Sequence, residues 1–282
     1  AASDVYKRQV LATRTIEVTP AAASLVAPET AIAGSTVEVA WDGPDYASDF
    51  ISVAHPDDDK GYVNYTYTRE GAPLDLQMPT EPGIYEIRYI VNQDRTVLAT
   101  RDIEITPATA SMIAPETAIA GSTIEVAWDG PDYSSDFISV ARPDDKKGYE
   151  NYTYTREGTP LDLQMPTEPG TYEIRYIVNQ DRTALSARKI EVTAVEASLV
   201  APETASAGAS IEVAWDGPDY PNDFISVARP DDGKGYENYT YTREGTPVEL
   251  EMPEQPGTYE IRYVISQDRM VIATRPIVVT GP

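Results

Sequence analysis

The feature that most constrains this chain is an internal repeat with a period of 87 residues. The offset superimposes three tryptophans and three methionines without gaps: Trp41, Trp128 and Trp215, and Met78, Met165 and Met252. A unit of this length is the size of a domain rather than a solenoid turn. Each copy is therefore expected to bury its own core and to fold by itself.

The period also sets the expected domain boundaries. Residues 10–20 match the last strand of a preceding copy, because VLATRTIEVT resembles VLATRDIEIT at Val97–Thr106. Residues 1–9, AASDVYKRQ, break the register and look like translated sequencing-adapter sequence, so we expect a foreign, disordered segment there. Complete repeats 1, 2 and 3 are expected at residues 21–107, 108–195 and 196–282.

The composition is acidic and lacks cysteine. There are 46 Asp and Glu against 22 Lys and Arg, which gives a formal net charge of -24. Nucleic acid is disfavoured as a partner because phosphate binding needs clustered basic side chains, whereas an acidic surface suits solubility and divalent cations. The absence of cysteine excludes disulfides, thiolate metal sites and thiol nucleophiles. No apolar run reaches the roughly 18 residues of a membrane span, so none is expected in this segment.

Short alternations of apolar and polar residues recur in each repeat, and they predict strands with one buried face. Turn-forming segments rich in Gly, Pro and Asp separate them. In repeat 1 the predicted strands lie near residues 24–27, 35–41, 50–54, 62–68, 74–78, 85–91 and 97–105. Seven short strands at this spacing predict an all-β, two-sheet sandwich. The tyrosine motif described next narrows the class to immunoglobulin-like, and the chain is expected to form three such sandwiches in a linear rod.

Two aromatic positions are predicted to be structural. The motif EPGIYEIRY at Glu81–Tyr89 places a tyrosine after a Pro-Gly turn, as in a tyrosine corner, where the hydroxyl bonds to backbone upstream. A tryptophan ends the second predicted strand. The candidates are Tyr85, Tyr172 and Tyr259, and Trp41, Trp128 and Trp215.

Three motifs together resemble a known class of repeat: APETAxAGSxxEVAWDGPDY, NYTYTREGxPLxL and PGxYEIRYxxxQDRxxLAxRxIxVT. They resemble bacterial immunoglobulin-like, or fibronectin-like, tandem repeats of large extracytoplasmic proteins, some of which also carry von Willebrand factor A-type domains. The resemblance covers residues 10–282. It implies the fold and an extracellular, cell-surface or periplasmic location, and it implies no catalytic residue. The Asp-x-Ser-x-Ser metal motif of A-type domains is absent from the sequence.

One set of aspartates recurs in every copy and is the candidate cation site. The acidic loop PDDDKG does not recur intact, because its third acid, Asp59, is Lys146 and Gly233 in the other copies. The recurrent carboxylates either bind calcium at one end of a sandwich or are solvated turn residues, and both interpretations stay open. The calcium candidates are Asp42, Asp45, Asp49, Asp129, Asp132, Asp136, Asp216, Asp219 and Asp223. No other cofactor is expected.

Other polar candidates have simpler interpretations. The single histidine, His55, is arginine in the other copies, so it is not expected to be catalytic. Tyr65 and Tyr67 either contact a glycan or protein or, as we favour, belong to a strand that packs one face on the core. The N-x-T triplets that start at Asn64 and its copies match the acceptor pattern for N-glycosylation, and we expect this match to be accidental. Exposed cross-strand ion pairs are expected among Arg69, Glu70, Glu86, Arg88, Asp94 and Arg95, at about 0–1 kcal/mol each.

The junctions between repeats predict a spacer. Only a few residues separate the last strand of one repeat from the first strand of the next, and proline stiffens the passage. At about 3.4 Å per strand residue, each repeat would span roughly 35 Å and three roughly 100 Å. The sequence thus predicts a non-catalytic, monomeric stalk whose partners are its neighbouring repeats and a functional domain elsewhere in the same protein. The alternative is an adhesive module that binds calcium, a glycan or a surface protein.

Overall fold

A computed structural model describes residues 12–281 of the chain. Over that range the protein is a series of β-strands that form three copies of one two-sheet sandwich. The predicted fold class, three tandem immunoglobulin-like sandwiches, is confirmed. The chain divides into two compact units at Pro107 and Ala108, so that repeat 1 belongs to the first unit and repeats 2 and 3 to the second.

Repeat 1, which the structure describes throughout, forms eight strands in two sheets. The three-stranded sheet has the order β1-β3-β6, and the five-stranded sheet has the order β2-β8-β7-β4-β5, in which β2 and β8 run parallel. The strands are β1 (Ser24–Val26), β2 (Thr30–Ile32), β3 (Thr36–Asp42), β4 (Phe50–Ala54), β5 (Asn64–Tyr67), β6 (Leu74–Gln77), β7 (Gly83–Val91) and β8 (Thr96–Thr106), with a 3-10 turn at Thr68–Glu70.

The second unit contains the same arrangement twice. Repeat 2 comprises β9 (Ser111–Ile113), β10 (Thr117–Ile119), β11 (Thr123–Asp129), β12 (Phe137–Ala141), β13 (Asn151–Tyr154), β14 (Leu161–Gln164), β15 (Gly170–Val178) and β16 (Thr183–Thr193). Repeat 3 comprises β17 (Ser198–Val200), β18 (Thr204–Ser206), β19 (Ser210–Asp216), β20 (Phe224–Ala228), β21 (Asn238–Tyr241), β22 (Val248–Glu251), β23 (Gly257–Ile265) and β24 (Met270–Thr280). The 3-10 turns are Thr155–Glu157, Thr242–Glu244 and Gln267–Arg269.

Each described repeat has one strand more than the seven predicted. The additional strand is β2 in repeat 1, and Pro28 lies between it and β1. Proline has no N–H for a strand ladder, so the chain leaves the three-stranded sheet after Val26 and joins the five-stranded sheet at Thr30. This change of sheet closes one side of the sandwich.

The core lies between the facing sheets. Alternate residues of the strands point inward, and Val39, Ile51, Leu76 and Ile87 are completely buried. Complete burial of an aliphatic side chain stabilises the folded state by about 1.5–3 kcal/mol. The largest buried side chains include two tyrosines from β7 and its copies: Tyr85 and Tyr89, Tyr172 and Tyr176, and Tyr259 and Tyr263.

The segment before repeat 1 differs from the prediction of a last strand at residues 10–20. Residues 12–20 are exposed and form no strand. In a complete repeat the matching segment, β8, hydrogen-bonds to β7 and β2. Residues 1–11, including the predicted foreign segment, lie outside the described residues.

Candidate functional site

The corner tyrosines bind the turns that precede them. The Tyr85 hydroxyl donates to the carbonyl of Glu81, four residues upstream, at 3.0 Å. This bond has the geometry expected of a tyrosine corner. Burial, and secondarily the charge of Glu81, raises the pKa of Tyr85, so the hydroxyl keeps the proton that it donates. The same bond is made at 2.9 Å by Tyr172 to Glu168 and by Tyr259 to Gln255.

The tryptophan of β3 contacts both the core and a surface turn. The ring centroid of Trp41 lies 5.6 Å from that of Tyr89, and its Nε1 donates to the Gly71 carbonyl at 2.9 Å. Trp41 thereby connects β3 to the turn that leads into β6. The corresponding bonds of Trp128 to Gly158 and of Trp215 to Gly245 measure 3.0 Å.

The last aspartate of each calcium candidate set is buried in a hydrogen-bond network. Asp49 is 1% exposed. Its Oδ2 accepts from the Tyr46 amide at 3.0 Å and from the Tyr89 hydroxyl at 3.2 Å, and its Oδ1 accepts from the Asn92 amide at 3.1 Å. The carboxylate therefore connects the turn before β4 to the turn after β7, at one end of the five-stranded sheet. Asp136 and Asp223 make the equivalent bonds.

Burial shifts the ionisation of this network. Desolvation raises the pKa of Asp136 and of Asp223, although hydrogen bonds from backbone amides and a tyrosine hydroxyl oppose the shift. Desolvation also raises the pKa of Tyr89 to about 12. The pKa values of Tyr176 and Tyr263 move in the same direction for the same reason.

The other two aspartates of each set are exposed. Asp45 has a left-handed φ of 52°, its amide donates to the Tyr89 hydroxyl at 2.9 Å, and its Oδ1 accepts from Thr68 at 2.6 Å. Asp42 ends β3. Among residues 12–281, no three or more His, Cys, Asp or Glu side chains are grouped so as to hold a metal ion. Asp45 and Asp49 both contact the Tyr89 hydroxyl, Asp45 through its amide and Asp49 through its carboxylate. Asp129 and Asp216 are exposed like Asp42, and Asp132 and Asp219 repeat the amide bond of Asp45.

A buried arginine that sequence reasoning placed on the surface holds the loop between β4 and β5. Arg88 is 4% exposed, and its guanidinium donates to the backbone carbonyls of His55 at 2.9 Å, Pro56 at 3.3 Å and Asp58. It also pairs with Glu86 at 2.8 Å. The acidic loop therefore folds over the sheet around one cation. Arg175 repeats these contacts, and Arg262 donates to the equivalent carbonyls of Arg229 and Pro230 but to Gly233 rather than to the equivalent of Asp58.

The prediction of exposed cross-strand ion pairs is wrong for these charges. Glu86 and Arg88 are two residues apart on one strand, so they share a face and pair along it. Arg69 and Glu70 are sequence neighbours 3.7 Å apart. The remaining members bind other groups. Asp94 accepts from Thr96, and the Arg95 guanidinium lies 5.5 Å from the ring centroids of Phe50 and Tyr62.

Three tyrosines per repeat form an aromatic row, here called the tyrosine strip: Tyr62, Tyr65 and Tyr67 in repeat 1, of which Tyr62 and Tyr67 are half-buried. Tyr65 is 42% exposed, and its ring centroid lies 5.0 Å and 5.2 Å from those of its two neighbours, edge to face. Tyr65 and Tyr67 pair with Ser52 and Phe50 of β4, on the outer face of the sheet. The favoured core-packing interpretation of this strand is therefore wrong. The copies are Tyr149, Tyr152 and Tyr154, and Tyr236, Tyr239 and Tyr241.

The N-x-T triplets bridge the two sheets. Strands β5 and β6 are edge strands of different sheets. Asn64 Nδ2 donates to the Gln77 carbonyl at 3.1 Å, and the Thr66 hydroxyl donates to the Asp75 carbonyl at 2.8 Å. These bonds occupy edge carbonyls that would otherwise be available to another chain. The same bonds recur in the other repeats, from Asn151 to Gln164, Thr153 to Asp162, Asn238 to Glu251 and Thr240 to Glu249.

The second unit contains a built junction between repeats 2 and 3. Tyr220, in the turn before β20, donates its hydroxyl to the Ala120 carbonyl at 3.2 Å. Its ring covers Gly121, because a Cβ built on that glycine would lie 3.2 Å from the ring. Gly121 also has a φ of 75°, so another residue there would be strained as well as crowded. Burial raises the pKa of Tyr220.

The turn after β23 makes the other bonds of this junction. Gln267 Nε2 donates to the Met165 carbonyl at 3.2 Å, and the Thr167 hydroxyl donates to Asp268 Oδ2 at 3.0 Å. The connecting segment, residues 194–197, is also packed. Val195 lies against the core of repeat 2 and Ala197 against the core of repeat 3. Side chains and linker therefore hold the two sandwiches together.

Comparisons with known proteins give a fold likeness without a family. No protein-family model matches the chain, and no curated protein matches it. Among solved structures, the chicken CNTN1 FN1-FN3 domains match at 12% identity and TM-score 0.26, over 92% of this chain and 98% of that one. The Yersinia pseudotuberculosis adhesin InvE matches at 12% and 0.25, over 61% and 58%. Invasin, a bacterial integrin-binding protein, matches at 13% and 0.21, over 93% and 60%. Similarity at this level supports no functional assignment. In the described residues, no helix is long and apolar enough to cross a membrane.

Proposed function

We propose that this chain is a non-catalytic spacer of a secreted or surface-anchored bacterial protein, in which joined sandwiches present another part of that protein at a distance. The junction of repeats 2 and 3 carries this proposal. A flexible tether needs no contacts between its domains. Here Tyr220 lies over a glycine, Gln267 and Asp268 bind the facing turn, and the linker is packed at both ends. The bacterial surface setting is supported by the sequence motifs.

The charge of the chain suits the same role. A formal net charge of -24 keeps copies of the protein apart through mutual repulsion. The bridged edges between β5 and β6 act in the same direction, because they block strand pairing between molecules. A spacer displayed at high density on a surface needs both properties.

Spin-label distances test the spacer directly. Because the chain has no cysteine, A187C and T274C introduce the only two labelling sites, at equivalent exposed positions of β16 and β24. A fixed junction predicts a single narrow distance distribution, as narrow as that from labels at E212C and T274C within one sandwich. The double variant Y220A/Q267A should broaden it. A broad distribution in the unmodified junction would contradict the proposal.

The tyrosine strip favours a second candidate function, an adhesive module that binds a glycan or a protein. Exposed aromatic rings recur at the same place in all three repeats, flanked by arginines that lie over Tyr67 and Phe50. Tyrosine is favoured at binding surfaces because it combines apolar area with a polar tip. The variant Y65S/Y152S/Y239S should abolish binding on a glycan array or to candidate host proteins, whereas Y46S, at an exposed tyrosine outside the strip, should not. Equal binding by both variants would exclude the tyrosine strip as the binding surface.

A further inference from the structure

The C-terminal end of repeat 3 has the backbone of a junction surface but different side chains. In repeat 2 this surface receives Tyr220, Gln267 and Asp268. The glycine at its centre is retained with a left-handed φ, 75° at Gly121 and 69° at Gly208. Two of the five junction positions change in repeat 3: Ala120, Gly121, Ser122, Met165 and Thr167 correspond to Ala207, Gly208, Ala209, Met252 and Glu254.

The larger change, from Thr167 to Glu254, places a carboxylate where Tyr220 lies in the repeat 2–3 junction. A Cβ built on Gly208 would lie 2.9 Å from Glu254 Oε1, whereas a Cβ built on Gly121 would lie 3.2 Å from the Tyr220 ring. The Glu254 carboxylate therefore covers the same glycine that Tyr220 covers at the repeat 2–3 junction. A tyrosine from a following repeat would have to displace it.

Charge opposes a further repeat as well. The residue that would face position 254 is an aspartate in every repeat: Asp94, Asp181 and Asp268. In the existing junction Thr167 donates a hydrogen bond to this aspartate. An ionised glutamate has no proton to donate and repels a carboxylate at contact distance. The turn also becomes more acidic, since Gln164–Glu168 holds one acidic residue and Glu251–Gln255 holds two.

We infer that the residue at position 254 selects what the end of repeat 3 can receive. Glu254 prevents another repeat of this kind from docking in the geometry of the repeat 2–3 junction. The surface instead fits a module that presents a lysine or arginine where these repeats present Asp268. This inference rests on the proposed spacer function, because it assumes that fixed junctions are what these surfaces form.

The existing junction provides the first test, with the labels of A187C/T274C. T167E should at least double the width of the distance distribution, and T167A, which loses only the hydrogen bond, should broaden it less. D268K combined with T167E should give a narrow distribution again. D268K alone, which leaves Thr167 opposite a lysine, should give a broad one. Circular dichroism and melting would verify that each variant folds.

The outcomes separate this inference from the function on which it rests. A broad distribution in the parent chain would overturn the fixed junction itself. A narrow parent distribution with T167E no broader than T167A would overturn the role of charge. If D268K does not restore a narrow distribution to T167E, the inferred preference for a basic partner is wrong.

A longer chain tests the end of repeat 3 itself. A further copy of residues 195–281 would follow Gly281, with labels at T274C and at the equivalent threonine of the added copy. The chain with Glu254 should give a broad distribution, and A209S/E254T should give one as narrow as that between repeats 2 and 3. A narrow distribution with Glu254 in place would overturn the inference.

Discussion

At the scale of single residues, the buried tyrosines make stability depend on alkaline pH. The pKa of Tyr89 is about 12 in the folded chain against an ordinary value of 10.0. Between these values the folded state keeps a proton that the unfolded chain has lost, so this contribution is complete below pH 10 and is lost as pH rises to about 12. We expect the melting temperature to fall steeply across that window in a pH series followed by circular dichroism.

The control for this effect removes the ionisable group from every copy. Y89F/Y176F/Y263F loses a hydrogen bond to each buried aspartate and should be less stable at neutral pH, by about 1 kcal/mol per repeat. Its melting temperature should nevertheless fall less between pH 10 and 12. An unchanged slope would assign the alkaline transition to other groups.

The buried arginine is the other residue on which a loop depends. R88M removes the donors for carbonyls in the loop between β4 and β5, and it should destabilise repeat 1 by about 2–4 kcal/mol. Hydrogen exchange at residues 55–61 should accelerate more than exchange in β3. R69M, at an arginine whose side chain is 62% exposed, is the matched control and should change stability by less than about 0.5 kcal/mol. Equal effects would contradict the loop role.

Sequence patterns at this scale identify the face of a residue but not what covers it. Alternation along β7 correctly places Glu86 and Arg88 on the outer face, opposite Ile87 and Tyr89. It gives no information on a loop that folds back over that face and buries the arginine. The available signal was an arginine that recurs in every copy between two core residues of a central strand.

At the scale of strands, the bridges between β13 and β14 protect an open edge. N151A/T153A removes two side-chain donors to edge carbonyls and should destabilise repeat 2 by about 1–2 kcal/mol. Amide exchange in β14 should accelerate, and the chain should self-associate more readily. T123A, at an exposed threonine of the neighbouring β11, serves as the control. An N151A/T153A variant that behaves like T123A would show that the bridges contribute nothing.

The strands could be predicted where alternation is long and not where it is short. The seven predicted runs of repeat 1 all contain strands, because half-buried strands of a sandwich impose a period of two. Strand β2, which follows a proline, contains only three residues, too few to show an alternation of apolar and polar side chains. Tyr65 and Tyr67 alternate correctly, but on an edge strand both periodic faces are partly open, so alternation does not indicate which one packs.

At the scale of the whole molecule, the junction could be anticipated only as a short linker. Tyr220 and Gln267 lie in turns distant in sequence from the linker, and the same residues stand in every copy, so nothing in the sequence distinguishes them. Glu254 does differ from Thr167 at the equivalent position, but its effect on docking can be inferred only because the structure places Thr167 opposite Asp268. In a chain of near-identical repeats, the sequence alone therefore does not show which of the recurring residues form contacts between repeats.

The high negative charge leads to a prediction for salts. Mutual repulsion within a chain of net charge -24 is screened as ionic strength rises, so the melting temperature should increase between about 10 mM and 150 mM NaCl.

Calcium and magnesium at matched ionic strength should act alike on the melting temperature, because Asp49 and its copies already accept three hydrogen bonds each and Asp45 is hydrogen-bonded to Tyr89 and Thr68. Calorimetry with 5 mM of either ion or with a chelator measures the difference. A saturable rise specific to calcium would contradict this assignment and make the aspartates ligands.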